Sequence, residues 1–410
     1  MKLSVIVCLY NTDKEKFDKC LNSIATSTLK DYEVLVIDDG SSENYDEILE
    51  KHHPVYVKTQ NRGHFAARLF ALTIARGEYV AYVDSDDTVT FNYHKPMVEC
   101  AIKNNLDIVI NDWAFRTDSS CAYCESDSTI NSDIVKEGDE ILRQFTLHQG
   151  RQHSYFVLWN KVFKKELVLR AKEEIEKTDA IMKRMTYSED MLMTFFAFKF
   201  AQKMQNIHTG YYLYHVHAGQ TIVADTSEKI KGQIDMVTGN FAIMKDSIGD
   251  NKYASEIAND IDEWRALMCR THYSYAKAQG NNELCDYVKC KYGVDNLKPS
   301  TVKDSRDYIA SGLLGNNLEG IDTILRWVYK KGKDVCVKYD KNDEYVAKSI
   351  AYLKSVEGIA ITYSDRAEIV IPRREVSIKD KVLHSRLVST IGLALFPKGS
   401  KLRRLFKNKL

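Results

Sequence analysis

The sequence predicts an α/β protein: a mostly parallel central sheet with helices on both faces, followed by a mainly helical region and a small α/β appendage. Three observations carry this expectation. Over the first 112 residues, apolar runs of strand length alternate with stretches of helical period, the order that builds parallel sheets. Those runs are almost continuously apolar, as suits strands covered on both faces. Polar clusters at Tyr10–Thr12, Asp38–Ser42 and Asp84–Asp87 each stand where such a run ends, and parallel sheets bind ligands beyond the carboxyl ends of their strands.

Taken in order, SVIVCLY (Ser4–Tyr10) is the first strand, and Phe17, Cys20, Leu21 and Ile24 then recur at helical spacing. EVLVI (Glu33–Ile37) is the second strand and runs into DDGSS. A short helical stretch from Tyr45 precedes VYVKT (Val55–Thr59). The helix over His64–Ala75 is expected to close near Gly77. EYVAYV is the fourth strand, and a helix around Pro96–Asn104 leads to DIVIND (Asp107–Asp112). Beyond lie LWNKVFKKEL (Leu158–Leu167), the helical SEDMLMTFFAFKFA (Ser188–Ala201) and GYYLYHVHAGQT (Gly210–Thr221). The pattern turns helical from about residue 226 and changes again near Asp334, where DVCVKY, GIAITYS and EIVIP accompany a helical EYVAKSIAYLKSV. The expected units are 1–112, 113–225, 226–333, 334–380 and a basic tail over 381–410.

A chain of 410 residues is long for one compact core. Its net charge of +1 argues against a dedicated nucleic-acid binder. The nine cysteines are scattered and odd in number, which reads as reduced thiols in a cytoplasmic protein. Cys121 and Cys124 have redox or zinc spacing, but no second pair with ribbon spacing accompanies them. The opening MKLSVIVCLYN has no small-residue cleavage site, so no signal peptide is expected. No run approaches the roughly 18 apolar residues of a membrane span.

The chemistry is concentrated in YVAYVDSDDTV (Tyr79–Val89), where a buried-type strand runs into Asp84, Asp86 and Asp87. Neither a G-x-x-x-x-G-K-[ST] loop nor a G-x-G-x-x-G turn is present to cradle phosphate. Carboxylates reach an anionic pyrophosphate only through a divalent cation with oxygen ligands, Mg²⁺ or Mn²⁺. Asp84 and Asp86 stand two apart, so a turn can bring both to one ion, while Asp87 is expected only to shape the turn. The alternative is an acidic turn in solvent.

The combined pattern resembles a family-2 glycosyltransferase of the GT-A fold. It is carried by SVIVCLYN, VLVIDDGS, NRGHFAARLFALTIARGEYVAYVDSDD and the SED of Ser188–Asp190, in the family's order and spacing over about residues 1–225. The resemblance implies a nucleotide-sugar-binding half over 1–112 and an acceptor-binding half over 113–225. It implies that Asp39 accepts a hydrogen bond from the nucleobase and that Arg68 lies near the donor phosphates. Asp84 and Asp86 match the D-x-D pair, with Ser85 between them and Asp86 the stronger metal ligand. Asp190 matches the catalytic base of inverting members, with Glu189 beside it. Cys8 and Tyr10 fall at the rim of the base pocket, where Cys8 replaces a small polar residue of some relatives, and Leu69-Phe70 replaces a frequent Asn-Ala. His217, in YHVHAGQT, matches a place where relatives use polar residues toward metal or diphosphate; the plain alternative is a surface strand. Trp159 and Lys161, in WNK, resemble a segment beside the acceptor cleft. The alternatives are a core tryptophan and a snorkelling surface lysine.

The expected reaction is an inverting, metal-dependent transfer from a UDP-sugar to a hydroxyl of a glycan, lipid-linked or protein-linked acceptor in bacterial surface glycan synthesis. SED also reads as a helix start capped by Ser188. The end of the chain, KGSKLRRLFKNKL, has the pattern of a short basic amphipathic helix. Such a helix suits peripheral contact with the inner face of a membrane, or packing within a homo-oligomer. Two rivals remain: a sugar nucleotidyltransferase, which would want a glycine-rich basic loop after the first strand, and a non-catalytic sugar-nucleotide- or glycan-binding protein, which would need no base at Asp190.

Overall fold

The structure, a computed structural model, describes residues 1–26, 29–91, 93–116, 121–124, 135–146, 153–178, 185–215, 226–278 and 280–295, with three short strands between 336 and 370. The first unit follows the expected alternation: β1 (Leu3–Leu9), α1 (Lys14–Ala25), β2 (Tyr32–Asp38), α2 (Asp46–His52), β3 (Val55–Lys58), α3 (His64–Ile74) and β4 (Tyr79–Asp84). A two-residue β5 (Thr88–Val89) and α4 (His94–Asn104) lead to β6 (Ile108–Arg116). There follow β7 (Cys121–Cys124), β8 (Lys136–Glu137), α5 (Asp139–Thr146), α6 (His153–Phe156), β9 (Lys161–Lys164), α7 (Lys165–Glu176), α8 (Glu189–Phe200) and β10 (Lys203–His215).

These strands form one sheet in the order β3-β2-β1-β4-β9-β6-β10-β5, with β7 paired to β6 and β8 to β10. β1 pairs in parallel with β2 and β4, and β2 with β3. β9 is antiparallel to both β4 and β6. The alternation of the first 112 residues gives no place for such a strand. Its insertion makes the sheet mixed and joins the two expected halves through shared backbone hydrogen bonds. It leaves β4 and β6 pointing the same way, so both end on the edge where β1 and β2 end. Because β9 runs the other way, its first residue, Lys161, lies on that same edge.

Burial explains the strand sequences. Every residue of β1 is buried, as is Tyr79–Val83 of β4, because helices cover both faces. In α1 the buried residues are Phe17, Cys20, Leu21 and Ile24, the set that the period selects, and Asp13 caps the first turn by accepting from Lys16 N. Helix α8 is buried on all sides from Met191 to Phe198, so it runs through the middle of the molecule.

Gly77 does not terminate α3, which ends at Ala75 in extended conformation. A Cβ at Gly77 would stand 2.4 Å from Ser4 N and 2.6 Å from Tyr79 O, so the residue is small because strand backbone passes there. Its N–H donates to Ser4 Oγ (2.8 Å), and Ser4 Oγ–H donates to buried Glu33 (2.6 Å).

Beyond β10 the expected helical region appears as α9 (Ser227–Asp246), α10 (Ala254–Ala278) and α11 (Asn282–Tyr292). The strand segments of the appendage form an antiparallel sheet of β11 (Cys336–Lys338), β12 (Thr362–Ser364) and β13 (Glu368–Val370), in the order β11-β13-β12. The helix expected within the appendage and the basic tail lie outside the described residues. No helix among the described residues is long and apolar enough to cross a membrane. Cys8, Cys20, Cys100, Cys269, Cys285 and Cys290 are free thiols, and CAYC is strand β7, paired along β6.

Replacing Gly77 with Ala forces the methyl against backbone that cannot yield cheaply. Gly77→Ala is expected to cost about 1–3 kcal/mol, measured as a lower denaturant midpoint with unchanged slope. An unchanged midpoint would show that the turn accommodates a side chain.

Candidate active site

The three polar clusters at the carboxyl edge are stitched together by hydrogen bonds. After β1, Asn11 adopts a left-handed conformation (φ 48°), and its side-chain oxygen accepts from Ser42 N (2.8 Å) and Ser42 Oγ (3.0 Å). Asn11 N donates to Ser41 Oγ (3.0 Å). Thr12 Oγ1 and Ser85 Oγ lie 2.6 Å apart, which joins the first cluster to the Asp84–Asp87 turn. Gly40, inside the Asp38–Ser42 cluster that follows β2, has φ +81°, and a Cβ there would meet Asn61 N at 2.8 Å. Only glycine suits that turn.

Asp39 is buried, and its two oxygens accept from Arg62 N (2.7 Å) and Gly63 N (2.8 Å). It thereby fixes the entrance to α3. A carboxylate has about four acceptor positions, so further acceptor capacity remains. Asp38 is also buried, accepting from Ser41 N (2.7 Å) and Tyr56 Oη (2.6 Å). Tyr10 is 42% exposed at the end of β1, while Cys8 is buried. Burial pushes the Cys8 thiol up to about 12, against the pull of Arg68, so Cys8 is a neutral thiol.

One turn into α3 stands Arg68, only 5% exposed. Its guanidinium donates to Asp84 Oδ1 (2.9 Å), Glu189 Oε1 (2.9 Å) and Asp190 Oδ1. Thus residues from α3, β4 and α8 meet at one cation. Burial alone would lower the Arg68 pKa, but Asp190, Asp84 and Glu189 outweigh it and raise it. The carboxyls of Asp84, Glu189 and Asp190 are raised by burial, with Arg68 opposing. His64, at the start of α3, is lowered by burial and by Arg68, against Asp84, Asp39 and Asp86.

Ser188 precedes α8 in the left-handed region (φ 57°) and makes no capping bond through its side chain. The capping expectation fails because Asn240 of α9 holds Ser188 instead, donating from Nδ2 to its O and Oγ, each at 2.9 Å. Asp190 also accepts from Leu158 N (3.3 Å).

Asp87 does more than occupy a turn. It is buried and accepts from Tyr212 Oη (2.7 Å) and His215 N (2.7 Å). Tyr212 Oη in turn accepts from Asp84 N (3.0 Å). The turn is therefore clamped to the end of β10. Burial raises the Asp87 carboxyl well above the usual range, helped by Asp86 and Asp84.

Trp159 is 5% exposed and stacks on Tyr212, with ring centroids 4.5 Å apart and planes at 19°. Its edge-on partner is Trp113 at 5.2 Å. It is a core residue behind the clamp, with its ring faces given to protein. Lys161 is wholly buried, which rules out the snorkelling alternative: its Nζ donates to Val157 O and to Asn160 Oδ1 (2.7 Å). His217 lies outside the described residues.

Among the described residues, no group of three or more His, Cys, Asp or Glu side chains is arranged to hold a metal ion. Asp84 and half-buried Asp86 offer two carboxylates at the edge. That donor set fits Mg²⁺ or Mn²⁺, which take one or two carboxylates and complete their shells with phosphate oxygens and water.

The Asp84–Asp87 turn, the buried carboxylates that open α8 and the carboxyl edge of the sheet thus meet in one place. The signature of Glycosyl transferase family 2 matches residues 4–166, and the chain carries a family-2 glycosyltransferase domain. It is 22% identical over 263 residues to the putative glycosyltransferase EpsH of Bacillus subtilis, covering 62% of this chain and 72% of that protein. It is 30% identical over 176 residues to the uncharacterized glycosyltransferase YibD of Escherichia coli, covering 41% of this chain and 50% of that one. The chain thus spans only half the length of YibD. The solved structure of Staphylococcus aureus TarS residues 1–349 with UDP-GlcNAc has a similar fold, with TM-score 0.51 and 17% identity over 92% of this chain and 97% of that one.

Tyr212→Phe deletes one hydroxyl that serves two buried partners. The expected loss is about 1–3 kcal/mol of stability, read from denaturant unfolding. No loss would show that Asp87 and Asp84 N do not depend on it.

Proposed function

We propose that the protein transfers a sugar from a UDP-sugar, with inversion, to a hydroxyl of a glycan or glycoconjugate acceptor in surface-glycan synthesis, with Mn²⁺ or Mg²⁺ at Asp84 and Asp86. The observation that carries the reading is the meeting of Asp84 and Asp190 on one buried arginine. It supports a reading in which a donor-side carboxylate and a base serve the same substrate.

In this reading Tyr10 lies against the nucleobase, and Asp39 accepts the uracil N–H with its remaining capacity. That TarS structure, of similar fold, holds UDP-GlcNAc, which supports a uridine donor. Asp190 takes the proton of the acceptor hydroxyl as the new C–O bond forms at the anomeric carbon and the bond to the diphosphate oxygen breaks, releasing UDP. A positioned carboxylate contributes about 10²–10⁴-fold by this proton transfer. A divalent cation, when bound, supplies charge stabilisation to the diphosphate. Arg68 keeps the base oriented and neutralises part of the surrounding negative charge. Glu189 shares Arg68 with Asp190 and is nearly buried, so it supports the base and does not compete for substrate. Peripheral membrane contact through the basic tail belongs to the same proposal, because a lipid-linked acceptor would be met at such a surface.

Asp190→Asn is expected to abolish transfer while UDP binding in the presence of Mn²⁺, read by thermal shift, stays nearly intact. Transfer within a few-fold of wild type would refute Asp190 as base.

The raised carboxyls also set a pH dependence. Asp190 works only when ionised, so kcat/KM should fall as pH drops, along a limb above the ordinary carboxylate value of about 3.9. Stability moves the opposite way. A carboxyl raised in the folded state holds its proton more readily there than in the unfolded chain. These groups therefore cost stability above their folded pKa, and the cost is relieved as pH falls through it. A kcat/KM profile flat down to the ordinary value would contradict the assignment.

A further inference from the structure

The segment just before β9 is docked on the first turns of α8. Leu158 N–H donates to Asp190 Oδ2 (3.3 Å), and one turn along the helix Thr194 Oγ lies within hydrogen-bond distance of both Phe156 O (2.8 Å) and Asp190 O (2.6 Å), which share its one proton. The far end of the segment is fixed to β6. Asn111 N donates to Asn160 O (3.0 Å), and Asn160 Nδ2 donates to Asn111 O (3.3 Å). Between these anchors the chain turns back, and Lys161 fills the turn from inside. Its side chain is 0% exposed. Its ammonium bonds Val157 O and Asn160 Oδ1, and Nζ lies 6.0 Å from the centre of the Phe198 ring of α8.

An ammonium taken out of water costs several kcal/mol unless its donors are met. An apolar side chain would fill the same space without that cost, so packing alone does not call for lysine. Contact with an acceptor does not call for it either, because the ammonium has no access to solvent. What the ammonium does is gather two oxygens of the segment whose Leu158 N–H meets Asp190.

We infer that Lys161 is a positioning residue: by closing the Val157–Asn160 turn it aims Leu158 N–H at Asp190 and so fixes the plane of that carboxylate. The inference rests on Asp190 being the base. With Arg68 on Oδ1 and Leu158 N–H on Oδ2, the carboxylate is held from both sides. Release of one side lets it rotate away from the acceptor hydroxyl. The burial that depresses the Lys161 pKa is countered by Asp190, which agrees with their proximity.

The test uses the full chain and compares Lys161→Met, Lys161→Gln and Asp190→Asn in the same transfer assay, with UDP affinity measured separately in Mn²⁺. Lys161→Met should lower kcat by about 10- to 1,000-fold, part of what a positioned base supplies. UDP affinity and the KM for acceptor should stay within a few-fold. Lys161→Gln, which keeps an N–H donor for Val157 O, should recover part of the loss. If Lys161→Met does not fold, Lys161→Gln carries the test, with a kcat loss at unchanged UDP affinity as the expected result. A raised acceptor KM with unchanged kcat would overturn the inference in favour of acceptor binding. Unchanged activity, or a loss of UDP affinity equal to the loss of kcat, would also overturn it. An active Asp190→Asn would instead refute the underlying assignment of the base.

Discussion

The buried Arg68 guanidinium, shared among Asp84, Glu189 and Asp190, is the interaction on which the rest of the site depends. Arg68 stands on α3, and its partners come from the end of β4, 16 residues along the chain, and from the first turn of α8, more than 120 residues along it. Three carboxylates this close would repel one another in a low-dielectric interior without a cation. The fork geometry of arginine lets one cation serve all three, which a lysine point charge would not do. Breaking such a pairing from one side leaves buried charges uncompensated, at a cost of about 3–5 kcal/mol. The same contact that makes the fold tolerable therefore brings the turn after β4 and the start of α8 together.

Around this centre, each acidic residue has a separate task. Asp39 fixes the entrance of α3 through Arg62 N and Gly63 N and so places Arg68. Asp87 is consumed by Tyr212 and His215 and holds the turn to β10. Tyr212 is backed by the stacked ring of Trp159, just before β9. Asp86 remains half-buried at the edge. A cluster that looks like simple repulsion in sequence thus divides into a clamp at Asp87, an anchor at Asp39 and a half-buried carboxylate at Asp86.

Much of this was legible in the sequence. Strands β1 to β4 and their helices follow from apolar runs and helical period, and the convergence of Tyr10–Thr12, Asp38–Ser42 and Asp84–Asp87 follows from their places at strand ends. Cross-chain pairings were not legible. The insertion of β9 between β4 and β6 rests on four residues whose pattern fits either strand direction. For Trp159 and Lys161 the sequence left acceptor contact open beside a core tryptophan and a surface lysine, because residue type does not report burial, and both prove to be enclosed. Ser188 had the right type and place for a cap, but a tertiary contact from Asn240 took precedence. The Tyr212–Asp87 bond spans 125 residues and leaves no local trace.

The central claim is that a forked cation at position 68 joins the donor-side turn to the base. The most direct measurement is sugar transfer by Arg68→Lys, with folding monitored by thermal unfolding. The substitution keeps a positive charge but cannot reach three carboxylates in the same geometry. The account predicts a folded protein whose kcat falls by at least about 100-fold, the scale of a lost or misaligned base. A folded Arg68→Lys variant with kcat within a few-fold of wild type would contradict it.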